Sequence, residues 1–161
     1  MKKEEIEFLK ESNAIEGEYS KEALEDTKEA WEFAKVCNKK GIPIDIGFIK
    51  LVHFSLMKNL NPRIAGHIRK CDVWVGGRKG VQPIIIESLL IDLCNVYTYN
   101  QIEKKDKIKH FHIRFEHIHP FEDGNGRTGR ILMNIQRLKI GLPILIIHEG
   151  KEQQEYYRWF K

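Results

Sequence analysis

The segment 61–83 is the one part of this chain whose composition favours β-structure, and this fact limits the possible folds more than any other. It is rich in glycine, it contains a proline near each end, and it carries Trp74 between Val73 and Val75. Such a pattern is typical of a short β-hairpin between turns. Because no other segment carries a convincing strand signal, we predict an all-α fold with one short β-hairpin.

The rest of the chain shows the spacing of apolar residues that is typical of amphipathic helices. Ser20 fits a helix N-cap, and Gly17 fits the residue just beyond a helix end. We predict helices over residues 2–15, 20–40, 45–60, 84–99, 105–117, 126–140 and 150–160. Since a domain takes about 150 residues, we predict a single domain over 1–161.

Composition excludes several classes of protein. Hydrophobic residues make up 42% of the chain and charged residues 31%, which is ordinary for a soluble globular protein. No apolar run approaches the roughly 20 residues that cross a bilayer, and the N-terminal MKKEEIEFLKE is too charged for a signal peptide. Cys37, Cys71 and Cys94 lie far apart, so we expect reduced core or near-core thiols in a cytoplasmic protein without a membrane partner.

The charge balance argues against a nucleic-acid partner. Lys and Arg number 27 against 23 Asp and Glu, which gives a net charge of only +4. No basic stripe interleaved with aromatic residues appears. A local site for an anion such as a phosphate is compatible with this mild excess.

The stretch HIHPFEDGNGRTGR, which ends at Arg130, carries the chemistry. Gly124, Asn125 and Gly126 permit a backbone path with positive φ, whose N–H groups form a nest for an anion. The turn leads into a helix, whose N-terminus adds N–H donors. Arg127 and Arg130 are three residues apart and are expected on one helix face. Guanidinium groups beside such a nest predict a polyphosphate site.

Two further residues complete this site. Asp123 offers a hard oxygen ligand, and one carboxylate together with phosphate oxygens is a usual way to hold Mg²⁺. His119 precedes a proline beside the turn, and the ordinary imidazole pKa near 6.5 suits a general base. The stretch therefore predicts a base, a metal ligand and a triphosphate cradle.

Other interpretations of the glycines fit less well. Gly124, Gly126 and Gly129 formally match the dinucleotide pattern GxGxxG, but no apolar strand precedes them. A P-loop would need Lys followed by Ser or Thr after the last glycine, where this chain has Arg130. Gly129 inside a helix indicates either tight packing or room for a ligand, and the sequence leaves both open.

The histidines do not predict a zinc site. The pairs on one helix face are seven residues apart, so they are separated by about 10 Å along the axis. Zinc needs ligands at about 2 Å. We expect surface or packing roles for His110, His112 and His117, and we expect His53 to be a hydrogen-bonded core residue.

Residues 119–130, HPFEDGNGRTGR, closely resemble the signature HxFx(D/E)GNGRxxR of Fic-domain proteins and match it at every fixed position. The resemblance extends over the whole chain, with helices before and after the motif and a glycine-rich hairpin upstream. It implies a compact helical Fic fold and transfer of AMP from ATP to a Ser, Thr or Tyr hydroxyl of a target protein, with release of pyrophosphate.

The resemblance also implies a role for each residue of the motif. His119 takes the proton from the target hydroxyl, and Asp123 binds Mg²⁺ that bridges the α- and β-phosphates. Arg127 supports the phosphates, and Arg130 contacts the γ-phosphate. Phe121 anchors the loop in the core. The α- and β-phosphates are held by Gly124, Asn125 and Gly126.

A second motif lies near the N-terminus. Ser12, Glu16 and Gly17 resemble the inhibitory pattern (S/T)xxxE(G/N) of autoinhibited Fic proteins. By this resemblance, residues 1–17 form an inhibitory helix, and Glu16 pairs with Arg130 in the position of the γ-phosphate. A carboxylate and a phosphate compete for one guanidinium.

The hairpin over 61–83 corresponds to the flap of the family, which binds the target segment by strand addition. We assign Val73, Trp74 and Val75 to this target-binding edge; a purely structural hairpin is the alternative.

Several functional questions stay open at this level. A Fic-type transferase with another phosphate-containing donor is one alternative, although such relatives typically carry Lys where this chain has Gly126. A non-catalytic nucleotide sensor is another, although binding alone needs no base such as His119. The resemblance allows a homo-oligomer and self-modification, and it names neither the target nor the residues that contact adenine.

Overall fold

The computed structural model describes residues 1–99 and 104–161. The described residues form seven α-helices and one two-stranded antiparallel sheet, which confirms the predicted all-α fold with a short hairpin. The helices are α1 Lys3–Ala14, α2 Lys21–Lys39, α3 Ile46–Met57, α4 Ile86–Tyr99, α5 Lys104–Ile118, α6 Asn125–Lys139 and α7 Lys151–Tyr157. The strands are β1 Trp74–Val75 and β2 Arg78–Lys79, and single 3-10 turns occupy Pro83–Ile85 and Arg158–Phe160.

Local side-chain caps explain where several helices begin. The Ser20 hydroxyl accepts the Ala23 N–H at 3.1 Å, and the Asp45 carboxylate accepts the Phe48 N–H at 2.8 Å. Gly17 has φ 68°, as expected of the residue beyond a helix end. The predicted end of α3 near residue 60 is wrong, because the chain leaves the helix after Met57 and turns ahead of a proline.

Helix α6 lies at the centre of the molecule and contacts α1, α2, α3 and α5. Its first three turns are almost entirely buried. The main core surrounds it and includes Phe8, Trp31, Phe115, Phe121 and Ile131. The N-terminus of α6 is therefore held by packing from several sides.

A smaller apolar cluster attaches the C-terminal segment to this core. Tyr156 of α7 packs there with Ile15, Ile108, Met133 and Ile147. The cluster joins the end of α1, helices α5 and α6, and the segment that precedes α7. It brings the C-terminal residues close to the N-terminus of α6.

The hairpin lies within the segment where the sequence predicts it. In the sheet, Trp74 pairs with Lys79, and Val73 lies one residue outside β1, where its carbonyl accepts the Gly80 N–H at 2.8 Å.

The expectation of a core or near-core thiol is wrong for Cys71, which is exposed because it lies in the irregular segment before β1. Both Cys37 and Cys94 are buried.

No helix among residues 1–99 and 104–161 combines the length and the apolar character that a bilayer crossing requires.

Candidate active site

His119 lies immediately after the end of α5, in the left-handed backbone region. Its φ is 49°, and it is the one non-glycine residue with positive φ in the described part of the chain. Its N–H donates to the Phe115 carbonyl at 3.0 Å, which closes the helix end, and Pro120 follows. The geometry fixes the imidazole at the beginning of the loop that leads to α6.

The loop between α5 and α6 is closed by the Asn125 amide. The Phe121 N–H donates to Asn125 Oδ1 at 2.9 Å, and Asn125 Nδ2 donates to the Phe121 carbonyl at 2.9 Å. Both residues are buried, as expected for Phe121. The Asn125 side chain therefore stabilises the loop itself.

His53 holds the same loop from α3. The Gly66 N–H donates to His53 Nδ1 at 3.0 Å, so Nε2 carries the ring proton and donates to the Asp123 carbonyl at 2.9 Å. The ring stacks on Phe121 with 3.6 Å between centroids. Burial lowers the pKa of His53 to about 4, so the ring is neutral. The predicted hydrogen-bonded core histidine is confirmed, and its contact with the loop was not foreseen.

Gly124 is the residue that turns the chain into α6. Its φ is 76°, and a Cβ there would lie 3.0 Å from Met57 Sδ and 3.2 Å from His53 Nε2. Both its conformation and its close contacts therefore require glycine. The Thr128 hydroxyl donates to the Gly124 carbonyl at 2.8 Å and fixes the turn to the helix.

The Asp123 carboxylate stands at the mouth of this turn. Its side chain is 68% exposed, and Oδ1 accepts the Gly124 N–H at 2.6 Å. Within residues 1–99 and 104–161, no group of three or more His, Cys, Asp or Glu side chains could hold a metal ion by itself. A single exposed carboxylate fits an ion such as Mg²⁺ that takes its other ligands from a nucleotide and water.

The two arginines of the motif contact different parts of the protein. Arg127 is buried against α3, where Nη2 lies 3.4 Å from Met57 Sδ and 3.9 Å from Asp123 Oδ2. Its Nε and Nη1 have no hydrogen-bond partner. Arg130 instead faces α1, so the structure does not bring the two guanidinium groups to one partner.

Arg130 connects the motif to the N-terminal segment. Its Nε donates to Ser12 Oγ at 2.9 Å, and Nη2 donates to the Ser12 carbonyl at 2.8 Å and to Glu16 Oε1 at 2.7 Å. A Cβ at Gly126 would overlap the Glu16 carboxylate. The structure thus places Glu16 directly against the first turn of α6, with its carboxylate on the buried guanidinium.

Some of these groups line one cavity of about 690 Å³, whereas Asp123, Gly124, Asn125 and Arg127 are not among its lining residues. Glu16, His119, Gly126 and Arg130 line one side of it. Residues 75–76 and 78–81 of the hairpin form another side. The C-terminal segment contributes four more lining residues: Tyr156, Tyr157, Phe160 and Lys161. The cavity therefore joins both sequence motifs and the hairpin, although they are far apart along the chain.

Burial shapes the titration of His119. Partial burial lowers the pKa of its imidazole, and the Arg69 charge lowers it further. The backbone carbonyl of Glu116 and the carboxylates of Glu16 and Asp123 oppose this change. His119 Nδ1 is buried without a partner of good hydrogen-bond geometry. The imidazole is neutral at neutral pH, as a general base must be.

A buried carboxyl beside the cavity was missed from the sequence. Glu116 Oε1 is buried without a hydrogen-bond partner. Burial together with the Glu16 charge raises the Glu116 pKa to about 8, although the Arg130 charge acts to lower it. A Cβ at Gly129 would overlap this carboxyl, so Gly129 is explained by packing. The spacing from Glu116 to Gly129 across the loop gave no signal that the two residues meet.

His112 and Tyr156 form a second contact that was not foreseen. His112 Nε2 lies 2.8 Å from the Tyr156 hydroxyl, and burial and the Arg130 charge lower the pKa of His112 to about 3. The Tyr156 hydroxyl also accepts from Arg130 Nη1 at 3.4 Å. His112 is thus a packing residue, as expected, and it fixes the tyrosine that lines the cavity.

Comparisons with known proteins agree with this architecture. The model of the Fic/DOC family matches residues 43–136. Protein adenylyltransferase fic-1 of Caenorhabditis elegans is 32% identical over 123 residues, and protein adenylyltransferase Fic of Drosophila willistoni is 30% identical over 123 residues. Each match covers 74% of this chain and 24% of the relative. The chain thus spans about a quarter of the length of these relatives.

Solved structures have the same fold. Fic-1 from C. elegans superposes with a TM-score of 0.84 at 23% identity, over 98% of this chain and 55% of that one. A Fic domain containing signaling protein from Bacteroides thetaiotaomicron superposes with a TM-score of 0.81 at 22% identity, over 95% of this chain and 69% of that one.

Proposed function

Because the chain belongs to the Fic/DOC family, we propose that it transfers AMP from ATP to a Ser, Thr or Tyr hydroxyl of a target protein and releases pyrophosphate. One observation carries this proposal: His119, the first turn of α6 and Arg130 meet in one cavity beside an exposed hairpin. The names of the adenylyltransferase relatives support the same activity. A base next to an anion cradle is the combination that attack on a phosphate requires.

His119 acts as the general base. In the neutral ring the proton resides on buried Nδ1, near the Glu116 carbonyl, and Nε2 accepts the proton of the target hydroxyl. The hydroxyl oxygen then forms a bond with the α-phosphorus. The bond from that phosphorus to the oxygen bridging to the β-phosphate breaks, and pyrophosphate carries away the electron pair.

The first turn of α6 and Arg130 balance the charge that develops on the phosphates. The N–H groups after Gly124 lie at a helix N-terminus, where an anion is favoured. Arg130 is buried, so its attraction for a phosphate is weakly screened by water. Arg127 stabilises the loop through its contact with the Asp123 carboxylate.

Asp123 would hold Mg²⁺ together with phosphate oxygens of the nucleotide, since it offers one exposed carboxylate at the mouth of the turn. Bound there, the ion would neutralise charge on the nucleotide phosphates.

We further propose that Glu16 keeps the enzyme inactive. Its carboxylate contacts the guanidinium assigned to the γ-phosphate, and it covers the backbone of Gly126. A bound triphosphate would therefore have to displace Glu16 from Arg130. Ser12 contributes two further acceptors to Arg130, which orient the guanidinium toward this carboxylate.

The hairpin supplies the surface for the target. Its strands lie beside the cavity, and Trp74 is 73% exposed. An extended segment of a target that adds to this edge by backbone hydrogen bonds, along Val73, Trp74 and Val75, would carry its hydroxyl toward His119.

The first experiment incubates purified protein with α-labelled ATP and Mg²⁺ and follows label on protein. It compares wild type, Glu16→Gly and the double variant Glu16→Gly/His119→Ala. Glu18→Gly is the matched control, because Glu18 carries the same charge two residues later and accepts from the Ser20 N–H rather than from Arg130. The double variant is expected to bind ATP as Glu16→Gly does.

We expect label in Glu16→Gly only, by self-modification or on an added protein extract. Label in the double variant would contradict the role of His119. Equal label in wild type and Glu16→Gly would contradict the inhibitory role of Glu16. No label in any sample, together with measurable ATP binding, would contradict AMP transfer and favour a nucleotide sensor or another donor.

A further inference from the structure

Arg69 is a buried cation whose contacts are unusual. Its side chain is 2% exposed, and among the described residues it forms no ion pair with a carboxylate. Its hydrogen bonds go to backbone carbonyls instead. Burial of a charge is unfavourable unless the group gains strong partners, so the identity of these carbonyls indicates what the residue does.

One side of Arg69 holds the loop that carries the base. Nε donates to the His119 carbonyl at 2.7 Å, and Nη2 reaches the Ile118 carbonyl at 3.4 Å. The backbone N–H of Arg69 donates to the Pro120 carbonyl at 2.9 Å. Arg69 therefore contacts three consecutive residues around the catalytic imidazole.

The other side of Arg69 holds both legs of the hairpin. Nη1 donates to the Cys71 carbonyl at 2.8 Å, and Nη2 donates to the Val81 carbonyl at 2.8 Å. A Cβ at Gly80 would lie 3.2 Å from Arg69 Nη2 and 3.0 Å from Val73 Cγ2. A side chain at this position would therefore crowd the guanidinium between the two legs of the hairpin.

The backbone of His119 explains why such a contact is needed. A left-handed conformation brings the Cβ of an L-residue close to the following carbonyl oxygen, so it persists only when neighbouring contacts hold it. Arg69 Nε binds the carbonyl of that same residue.

We propose that Arg69 is a positioning residue that holds His119 and the flap in one rigid frame. A hydroxyl presented by the flap then meets the imidazole at a fixed distance and angle. This inference rests on the proposed function, because the flap is taken to present the target. Independent support comes from electrostatics, since the Arg69 charge adds to burial in lowering the pKa of His119.

The test uses the full chain with Glu16→Gly as the common background, so that Asp123, Arg69 and the Glu116 carbonyl are the remaining groups that act on the His119 pKa. Arg69→Lys keeps the charge and loses the planar fork. Arg69→Gln removes the charge. Gly80→Ala keeps the arginine and crowds its place between the legs.

Arg137→Lys is the matched control. Arg137 also donates through Nε to a backbone carbonyl, that of Pro143, at 2.9 Å. It lies in the last turn of α6, away from the cavity. The same substitution there should leave transfer and the His119 titration unchanged.

We expect Arg69→Lys to lower kcat for AMP transfer about 100-fold, as small misplacements of reacting groups do. The ATP dissociation constant should change by less than about twofold, because Arg69 itself does not line the cavity. Arg69→Gln should raise the pKa of His119, followed by NMR of its imidazole and assigned by comparison with His119→Ala. The losses from Arg69→Lys and Gly80→Ala should not add, because both act on one contact.

Three results would overturn the assignment. The first is an Arg69→Gln protein in which neither the pKa of His119 nor the NMR chemical shifts of the backbone amides in the flap change. Another is additive losses from Arg69→Lys and Gly80→Ala. The third is a loss of transfer that simply follows a loss of ATP binding and of folded protein. The NMR titration needs no transfer, so absence of label on any protein would contradict the proposed function while the titration still decides the role of Arg69.

Discussion

At the scale of single residues, the environment of Glu116 disfavours a charge on its carboxyl. Its Oε1 is buried without a hydrogen-bond partner, and burial together with the Glu16 charge raises its pKa to about 8. The folded state therefore keeps a proton that the unfolded chain releases at about pH 4.5. Stability from this group is fully present below pH 4.5 and is lost as the pH rises toward 8.

We predict that Glu116→Gln removes this pH dependence, because the amide matches the shape of the protonated acid and cannot ionise. The difference in the free energy of unfolding, wild type minus Glu116→Gln, should become steadily smaller or more negative as the pH rises in urea titrations between pH 4.5 and 8.5. The difference between the two isolates Glu116, since His53 and His112 titrate in both proteins. Parallel curves would show that Glu116 is ionised in the folded state.

At the scale of elements, α1 is a helix fixed along its length by buried contacts. Phe8 and Leu9 enter the main core, and Glu5 accepts hydrogen bonds from Trp31 and Lys35 of α2. Glu16 lies beyond the end of this helix. Movement of the short segment after α1 would therefore separate Glu16 from Arg130, while the helix itself remains packed and Ser12 keeps its hydrogen bonds to the guanidinium.

A buried contact between α1 and α2 lies at the start of this segment. Thr27 Oγ1 lies 3.0 Å from Asn13 Oδ1 and 2.6 Å from the Ala23 carbonyl in the core, and the Asn13 carbonyl accepts the N–H groups of Glu16 and Glu18 at 3.0 Å each. We predict that Thr27→Val frees the end of α1 and raises basal AMP transfer of the otherwise wild-type chain about fivefold, since loss of one buried hydrogen bond costs about 1 kcal/mol.

The measurement is label on protein with α-labelled ATP, relative to wild type and Glu16→Gly. Ser88→Ala is the control, because it removes a hydroxyl that donates to the Ile85 carbonyl on the exposed side of α4. A Thr27→Val protein that is less stable and no more active than wild type would show that Asn13 has no influence on the position of Glu16.

At the scale of the whole molecule, the sequence predicted those parts of the fold and site that depend on neighbours along the chain. Helix periodicity and the glycine-rich segment predicted the helices and the hairpin, and these predictions are confirmed. The pairing of Glu16 with Arg130 came from resemblance, because nothing in the spacing of two residues so far apart indicates a contact.

The contacts that sequence reasoning missed are made by residues with no distinctive local pattern. Arg69 lies in a segment whose composition indicated only a hairpin, and its partners are backbone carbonyls, which no side-chain pattern encodes. In the sequence, Glu116 is one of several polar positions in a charged helix, and no pattern distinguishes it from the others. Cys71 was misplaced for the same reason, since burial depends on tertiary packing around the hairpin.

The proposed inhibition also makes a prediction about the stability of the whole chain. A ligand that binds only the folded state stabilises it by RT ln(1 + [L]/Kd), or about 2.7 kcal/mol at a concentration of 100 Kd. For a chain of this size that corresponds to a rise in Tm of about 5–10 °C. We therefore predict that ATP with Mg²⁺ at a fixed concentration raises the Tm of Glu16→Gly by several degrees and that of wild type by much less.

The physical reason is that ATP must first displace a carboxylate from a buried guanidinium in wild type, and this cost is subtracted from its binding energy. AMP offers the informative comparison, because it lacks the γ-phosphate that competes with Glu16. If Glu16 acts through Arg130 alone, wild type and Glu16→Gly should gain similar stability from AMP, and only ATP should distinguish them. Equal shifts with ATP would mean that the contact between Glu16 and Arg130 does not oppose the nucleotide, whatever its effect on the rate of transfer.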